Sequence, residues 1–317
     1  IQRTQSEFAR ELTSLLPDNL NCVYFVNSGT EANEAALKLA KRATGRTRMV
    51  SCRGSYHGST HGSLSVSGNE KKKYAFRPLL PDVHFVRFGE LDDLNMINEE
   101  TACFIMETVQ GDAGVRIPSR DYVQAVRKKC TQTGTLLIFD EIQCGMGRTG
   151  KMFAFEHYDV SPDILTLGKA LGGGLPIGAM ISSEPRMELL TTDPPLGHIT
   201  TFGGHPLICA AGLASLDVFK KEVDHHHTES IGQIFESRLS AHPLVKEVRR
   251  LGLFFAIDME NEEVVQKVVE GCIEQGIITF WFLSCPASFR IAPPLIISHE
   301  EAQQCCDIIL DVMNSIH

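Results

Sequence analysis

Seven short runs of almost uninterrupted apolar residues punctuate the first part of the chain, around 22–27, 48–52, 83–87, 102–107, 135–140, 163–167 and 178–182. Between them lie segments that are apolar at helical spacing or rich in glycine. Runs that are apolar throughout, instead of alternating with polar residues, belong to strands covered on both faces. Their alternation with helical segments predicts a mostly parallel sheet sandwiched by helices. After Pro206 the texture changes. Helices are expected over 207–222, 228–241 and 261–275, strands at 245–250, 252–258 and 289–292, and a closing helix from 299. This pattern predicts an α/β chain divided near 215 into a large domain (1–215) and a smaller α+β domain (216–317). An amphipathic stretch from Glu7 to Leu16 opens the chain in mid-helix, so further residues are expected to precede it.

In a largely parallel sheet, ligands gather beyond the carboxyl ends of the strands, and Ser28, Glu107, Asp140 and Lys169 all fall at such ends. The run Asp163-Ile164-Leu165-Thr166-Leu167-Gly168 carries Lys169 into the glycine cluster Gly172-Gly173-Gly174. Burial there would depress the lysine pKa and make a nucleophile able to form a Schiff base with an aldehyde. The run Thr135-Leu136-Leu137-Ile138-Phe139 ends in Asp140. Pyridoxal phosphate needs such a pair: an amine for its aldehyde, and a carboxylate to keep its ring nitrogen protonated. Its phosphate needs a third element. Helical spacing of Ala32, Ala35, Ala36, Leu39, Ala40 and Ala43 places a helix start near Ser28. Ser28 and Glu31 read as a capping box, whose free first-turn amides would hold a phosphate. Taken singly, these residues have plainer readings: a snorkelling strand-end lysine and an ordinary capped helix.

The chain has 317 residues, 43% of them hydrophobic, and a formal charge of −9. That length supports a large core, and the acidic balance argues against nucleic acid as a partner. No apolar stretch approaches a membrane span and no signal-peptide pattern opens the chain, so a soluble protein is expected. Ten scattered cysteines without a C-x-x-C pair read as reduced core thiols, which predicts a cytoplasmic location. No metal is indicated. His225-His226-His227 reads as a solvated helix start, and His57 with His61 lacks a third ligand.

Gly145-Met146-Gly147-Arg148-Thr149-Gly150 matches the dinucleotide fingerprint and, with Lys151, nearly completes a phosphate-binding loop. Neither reading holds in context. Glu141 to Cys144 separate the first glycine from its strand, and Met152 stands where the loop needs serine or threonine.

Five ordered motifs, Asn27-Ser28-Gly29-Thr30-Glu31-Ala32-Asn33-Glu34, Ser55-Tyr56-His57-Gly58, Glu107 to Gly114, Phe139 to Gly145 and Leu167 to Gly174, closely resemble the class III pyridoxal-phosphate aminotransferases. Further matches at His198 to Gly204 and Phe289 to Pro294 extend the similarity over nearly the whole chain. The relatives in question act on acetylornithine, ornithine and 4-aminobutyrate. The resemblance implies a fold-type-I transferase that moves an amino group from an amino donor to a 2-oxo acid such as 2-oxoglutarate.

By that resemblance Lys169 would form the internal aldimine and then shuttle a proton, while Asp140 holds the pyridinium nitrogen. Glu107 joins these two as a catalytic candidate. Ser28, Gly29 and Thr30 would take the phosphate, Tyr56 would stack on the ring beside His57, and Gln143 would contact the phenolic oxygen. Thr201 would reach the phosphate of a neighbouring subunit, which implies a homodimer with shared sites. Arg290 would clamp a substrate carboxylate, with Asp112 nearby. The family commonly has glutamate where Asp112 stands, paired with the carboxylate-binding arginine. Asp112 is one methylene shorter, so a weaker or rearranged pairing with Arg290 is expected. His205 stands where asparagine is common, and the family's N-terminal segment is missing. An aminomutase or racemase of the same fold, or a catalytically silent cofactor-binding protein, are the alternatives.

Overall fold

A computed structural model describes residues 2–222 and 224–316. The first part of the chain runs α1 (Arg3–Thr13), β1 (Cys22–Val26), α2 (Gly29–Thr44), β2 (Arg48–Cys52), α3 (His61–Val66), β3 (Val83–Val86) and β4 (Thr101–Glu107). It continues through α4 (Arg120–Thr133), β5 (Leu136–Asp140), β6 (Ile164–Gly168), β7 (Gly178–Ser182), α5 (Glu184–Met187) and α6 (Pro206–Glu222). Strands β1 to β7 make one seven-stranded sheet in the order β1-β7-β6-β5-β4-β2-β3. Strand β7 runs antiparallel to both its neighbours, whereas β6, β5, β4, β2 and β3 pair in parallel. The expected mostly parallel sheet is therefore present, and it holds all seven strands expected in the first part of the chain.

The sheet is buried on both faces, as continuous apolar runs require. On one side Val50, Phe104, Leu137, Phe139 and Leu165 pack with Tyr122, Val123 and Val126 of α4, and Phe8 of α1 stacks on Phe25 of β1 at 5.0 Å. On the other side Ile105, Ile138, Ile164 and Met180 pack against Ala35, Ala36, Leu39 and Ala40 of α2.

The remainder comprises α7 (His225–Ser240), β8 (Glu247–Leu251), β9 (Phe254–Asp258), α8 (Glu262–Glu274), β10 (Phe280–Trp281), β11 (Ser288–Ile291) and α9 (His299–Asn314). Its strands form a second, antiparallel sheet in the order β10-β11-β9-β8. Phe255, Ile257 and Phe289 of that sheet share a separate core with Phe235, Val265, Val268 and Ile309.

Local departures from the expected pattern have local causes. Helix α1 ends at Thr13 instead of continuing to Leu16, the chain tightening into turn hydrogen bonds from Leu15 N to Leu12 O and from Leu16 N to Thr13 O. Helix α7 starts earlier than expected because Asp224 caps it, its side chain accepting from the His226 amide at 2.9 Å. The two-residue β10 is too short to leave a periodic signal.

Candidate active site

The carboxyl ends of β4, β5 and β6 bring Glu107, Asp140 and Lys169 to one rim of the large sheet, with Glu107 directly opposite Asp140 in the register. Asp140 is 3% exposed, and its carboxylate is fully engaged. Oδ1 accepts from the Ile142 amide at 3.1 Å, while Oδ2 lies 2.8 Å from Asn33 Nδ2 and 2.7 Å from His57 Nδ1. Asn33 is itself fixed, receiving the Thr166 hydroxyl at 2.8 Å and donating to His57 O at 2.7 Å. A buried carboxyl group is tolerated only with such hydrogen-bond partners. Asn33 went unassigned in the sequence. Its signal was present, as one amide among the apolar positions of α2 that face the sheet.

Glu107 sits in a different environment. It is 4% exposed and accepts backbone amides from Tyr56 at 3.1 Å and Gly111 at 3.0 Å. Burial raises its pKa to about 7, an effect opposed by His57 and reinforced by the charge of Asp140. His57 is buried, and its Nε2 has no hydrogen-bond partner among the described residues.

Lys169 begins a tight 3-10 turn directly after β6 at φ 44°, in the left-handed region. A side-chain-bearing residue held there is strained, a condition that concentrates at functional sites. The expected burial is not seen: Lys169 is exposed, because the turn lifts it off the sheet between two cavities. The first cavity, about 270 Å³, is lined by Gly29, Thr30, Tyr56, His57, Glu107, Asp140 and Gln143 together with Lys169. Tyr56 is 39% exposed, and the ring is thus accessible. The second cavity, about 520 Å³, is lined by Lys169, Gln143, Arg148, Phe254 and Arg290. Ile142, Gln143 and Lys169 belong to both.

The start of α2 closes one end of the first cavity. Ser28 Oγ caps the helix, accepting the Glu31 amide at 3.3 Å. The reciprocal half of the expected capping box is displaced by one residue, as Glu31 Oε2 accepts from the Asn27 amide at 2.8 Å. Ser28 therefore serves the helix and does not line the cavity, while Gly29 and Thr30 do. A Cβ on Gly29 would stand 2.6 Å from Ile142 Cδ1, so a side chain at this position would have to push Ile142 aside. Thr201 is exposed and lies outside both cavities.

Arg290 projects into the second cavity, with its guanidinium 5.9 Å from the Phe280 ring centre and 6.0 Å from that of Phe282. Burial lowers its pKa, and the charge of Asp112 acts against that shift. Asp112 does not pair with it. The Asp112 carboxylate takes Lys72 Nζ at 2.7 Å and the Ser284 hydroxyl at 2.6 Å on Oδ2, and the Leu283 amide at 3.2 Å on Oδ1. Arg148 also went unassigned. It donates to the carbonyls of Leu253 and Pro293 at 3.1 and 2.7 Å, and burial, with Arg290 nearby, lowers its pKa to about 10.

An amine, an engaged carboxylate, an accessible aromatic face and a glycine-opened helix start thus surround one cavity. That donor set fits pyridoxal phosphate, with Lys169 for its aldehyde, Asp140 for its ring nitrogen and the Gly29-Thr30 amides for its phosphate. Among the described residues no cluster of side chains could hold a metal ion, and no helix is long and apolar enough to cross a membrane.

The aminotransferase class-III family model matches residues 2–313. The putrescine aminotransferase of Pectobacterium atrosepticum is 39% identical over 98% of this chain and 69% of its own length. The acetylornithine aminotransferase of Methanopyrus kandleri is 39% identical over 98% of this chain and 79% of its own length. Among solved structures, an ornithine aminotransferase from Toxoplasma gondii with pyridoxal phosphate at partial occupancy in its active site superposes with a TM-score of 0.90. It shares 29% identity and covers 99% of this chain and 76% of that one. The motif resemblance is borne out along nearly the full chain, and the chain belongs to the pyridoxal-phosphate-dependent class-III aminotransferases.

Proposed function

We propose that this aminotransferase moves an amino group from acetylornithine, ornithine or a related ω-amino acid to a 2-oxo acid such as 2-oxoglutarate. The observation that carries the reading is the position of Lys169 between a cavity suited to the cofactor and one that holds Arg290. The relatives named for acetylornithine and ornithine support the donor class.

Pyridoxal phosphate supplies an aldehyde and an electron-withdrawing ring. Lys169 would hold that aldehyde through its Nζ and, when free, would carry a proton on and off the reacting carbon of the substrate. Asp140, held by Asn33, His57 and the Ile142 amide, would face the ring nitrogen. Tyr56 would pack against the ring and Gln143 would donate to its phenolic oxygen, while Glu107 accepts the Tyr56 backbone amide and fixes that segment. Arg290 receives a substrate carboxylate with its planar fork, which orients the substrate amine toward Lys169.

The reading includes a homodimer. Leu196, Ile199, Phe202 and Leu207, which lie near Thr201 in sequence, are exposed apolar side chains that a second copy would cover while Thr201 reaches its phosphate site. It also includes a large domain over 1–215 and a small one over 216–317, joined along α6. Ten cysteines, all free, support a cytoplasmic location.

Glutamate formation from 2-oxoglutarate with a panel of amines tests the proposal. Acetylornithine or ornithine should be among the best donors, and Lys169→Ala should abolish turnover. A product panel showing isomerised donor without glutamate would replace the reading with an aminomutase or racemase.

A further inference from the structure

We propose that Lys72 is a specificity-determining residue, which holds Asp112 away from Arg290 and so leaves Arg290 as a standing receptor for carboxylate-bearing substrates. The inference rests on the reading that Arg290 receives a substrate carboxylate, and it narrows the substrate class of that site.

Asp112 is the acid whose charge reaches Arg290. It is tied to the segment after β10 through the Leu283 amide and the Ser284 hydroxyl, the segment whose preceding residues Phe280 and Phe282 flank the Arg290 guanidinium. Asn69 Nδ2 in turn donates to Ser284 Oγ at 2.8 Å. What turns the carboxylate away is Lys72, which comes from the turn over Glu70–Lys72 and meets Asp112 Oδ2 at 2.7 Å. The two side chains are 24% and 15% exposed, so the pair is shielded from much of the solvent screening that weakens surface ion pairs. The Lys72 ammonium also lies 5.1 Å from the Tyr56 ring centre, which tethers it beside the cofactor cavity.

Arg290 is left without a carboxylate partner among the described residues, and Arg148 adds a second cation to the same cavity wall. A half-buried cation beside a shielded, fully engaged acid needs no rearrangement before it accepts an anion. Both halves of a transamination would then favour substrates that carry a carboxylate. Without Lys72, the Asp112 charge loses its counter-ion, and the cation it already acts upon is Arg290.

The test is calorimetric titration of the cofactor-loaded full chain with glutarate, a dicarboxylate that has no amino or oxo group to react. Lys72→Met keeps an aliphatic stem over Tyr56 and removes only the charge. It should weaken glutarate binding by about tenfold, as expected when a freed acid competes for the same arginine. Lys72→Met/Asp112→Asn should return the affinity to within about twofold of wild type, because the competing charge is gone. Asp112→Asn alone should bind glutarate as tightly as wild type or tighter. Unchanged affinity in Lys72→Met, failure of the double variant to recover, or weakening in Asp112→Asn equal to that in Lys72→Met would each overturn the inference. Wild-type chain that does not bind glutarate at all would overturn the reading of Arg290 beneath it, a failure visible without any substitution.

Discussion

His57 Nδ1 lies 2.7 Å from Asp140 Oδ2, with the two residues 2% and 3% exposed. Together with Asn33, this contact fixes the carboxylate proposed to face the cofactor's ring nitrogen. Asn33→Ala would remove one of the two groups that meet Asp140 Oδ2, leaving His57 Nδ1 alone there, and would leave the Thr166 hydroxyl without its buried acceptor. Its unfolding free energy in urea should fall by about 1–3 kcal/mol. Equilibrium dialysis should also show weaker cofactor retention, whereas unchanged values in both assays would contradict the role assigned to Asn33.

Glu107 and Glu141 are buried carboxyls whose pKa rises to about 7, in each case chiefly through burial. A carboxyl that grips its proton more tightly when folded contributes stability at low pH and loses it as pH climbs. The unfolded group releases its proton near the ordinary 4.5, so stability should decline with rising pH from there to about 7. The full loss is on the order of 3 kcal/mol per carboxyl. Relative to wild type, Glu107→Gln should lose that declining contribution in urea midpoints measured between pH 4.5 and 8, with Glu141 in the same sense and His157, whose pKa burial lowers to about 4, in the opposite sense supplying what is left. An unaltered slope would contradict the prediction.

Gly58 sits at φ 128°, and a Cβ there would stand 2.2 Å from Thr30 Oγ1 and 2.6 Å from Ser63 Oγ. Gly58→Ala must therefore strain its own backbone and push Thr30 away from the start of α2. Cofactor affinity by equilibrium dialysis should drop at least about tenfold, in keeping with a strain of 1–3 kcal/mol. Wild-type affinity would show that Thr30 takes no part in holding the phosphate.

The strand ends were legible in the sequence because β4, β5 and β6 are apolar on both faces and stop at a polar residue, which marks Glu107, Asp140 and Lys169 without further information. The helix start at Gly29 was legible for a similar reason, as Ser28 caps it. What the chain did not disclose is which side chains meet across it. Asn33 reaches Asp140 over 107 positions, and Asp112 meets Ser284 over 172. No periodicity encodes such contacts. The exposure of Lys169 was hidden too, since it follows from a left-handed turn that only the three-dimensional course of 169–173 reveals.

Arg290→Met should raise the KM for a 2-oxo acid by at least about tenfold, the loss expected of a charge-assisted bidentate contact. Amines that lack a carboxylate should keep their KM. Steady-state kinetics with both substrate types checks this, and an equal rise for both would mean that Arg290 shapes the cavity instead of reading charge.

The central claim is that Lys169 is the amine that joins the cofactor. Cofactor-loaded full-length protein should be reduced with borohydride, digested, and its labelled peptide sequenced by mass spectrometry. The account predicts a pyridoxyl group on Lys169, whereas a label on any other lysine, or a cofactor released intact after reduction, would contradict it.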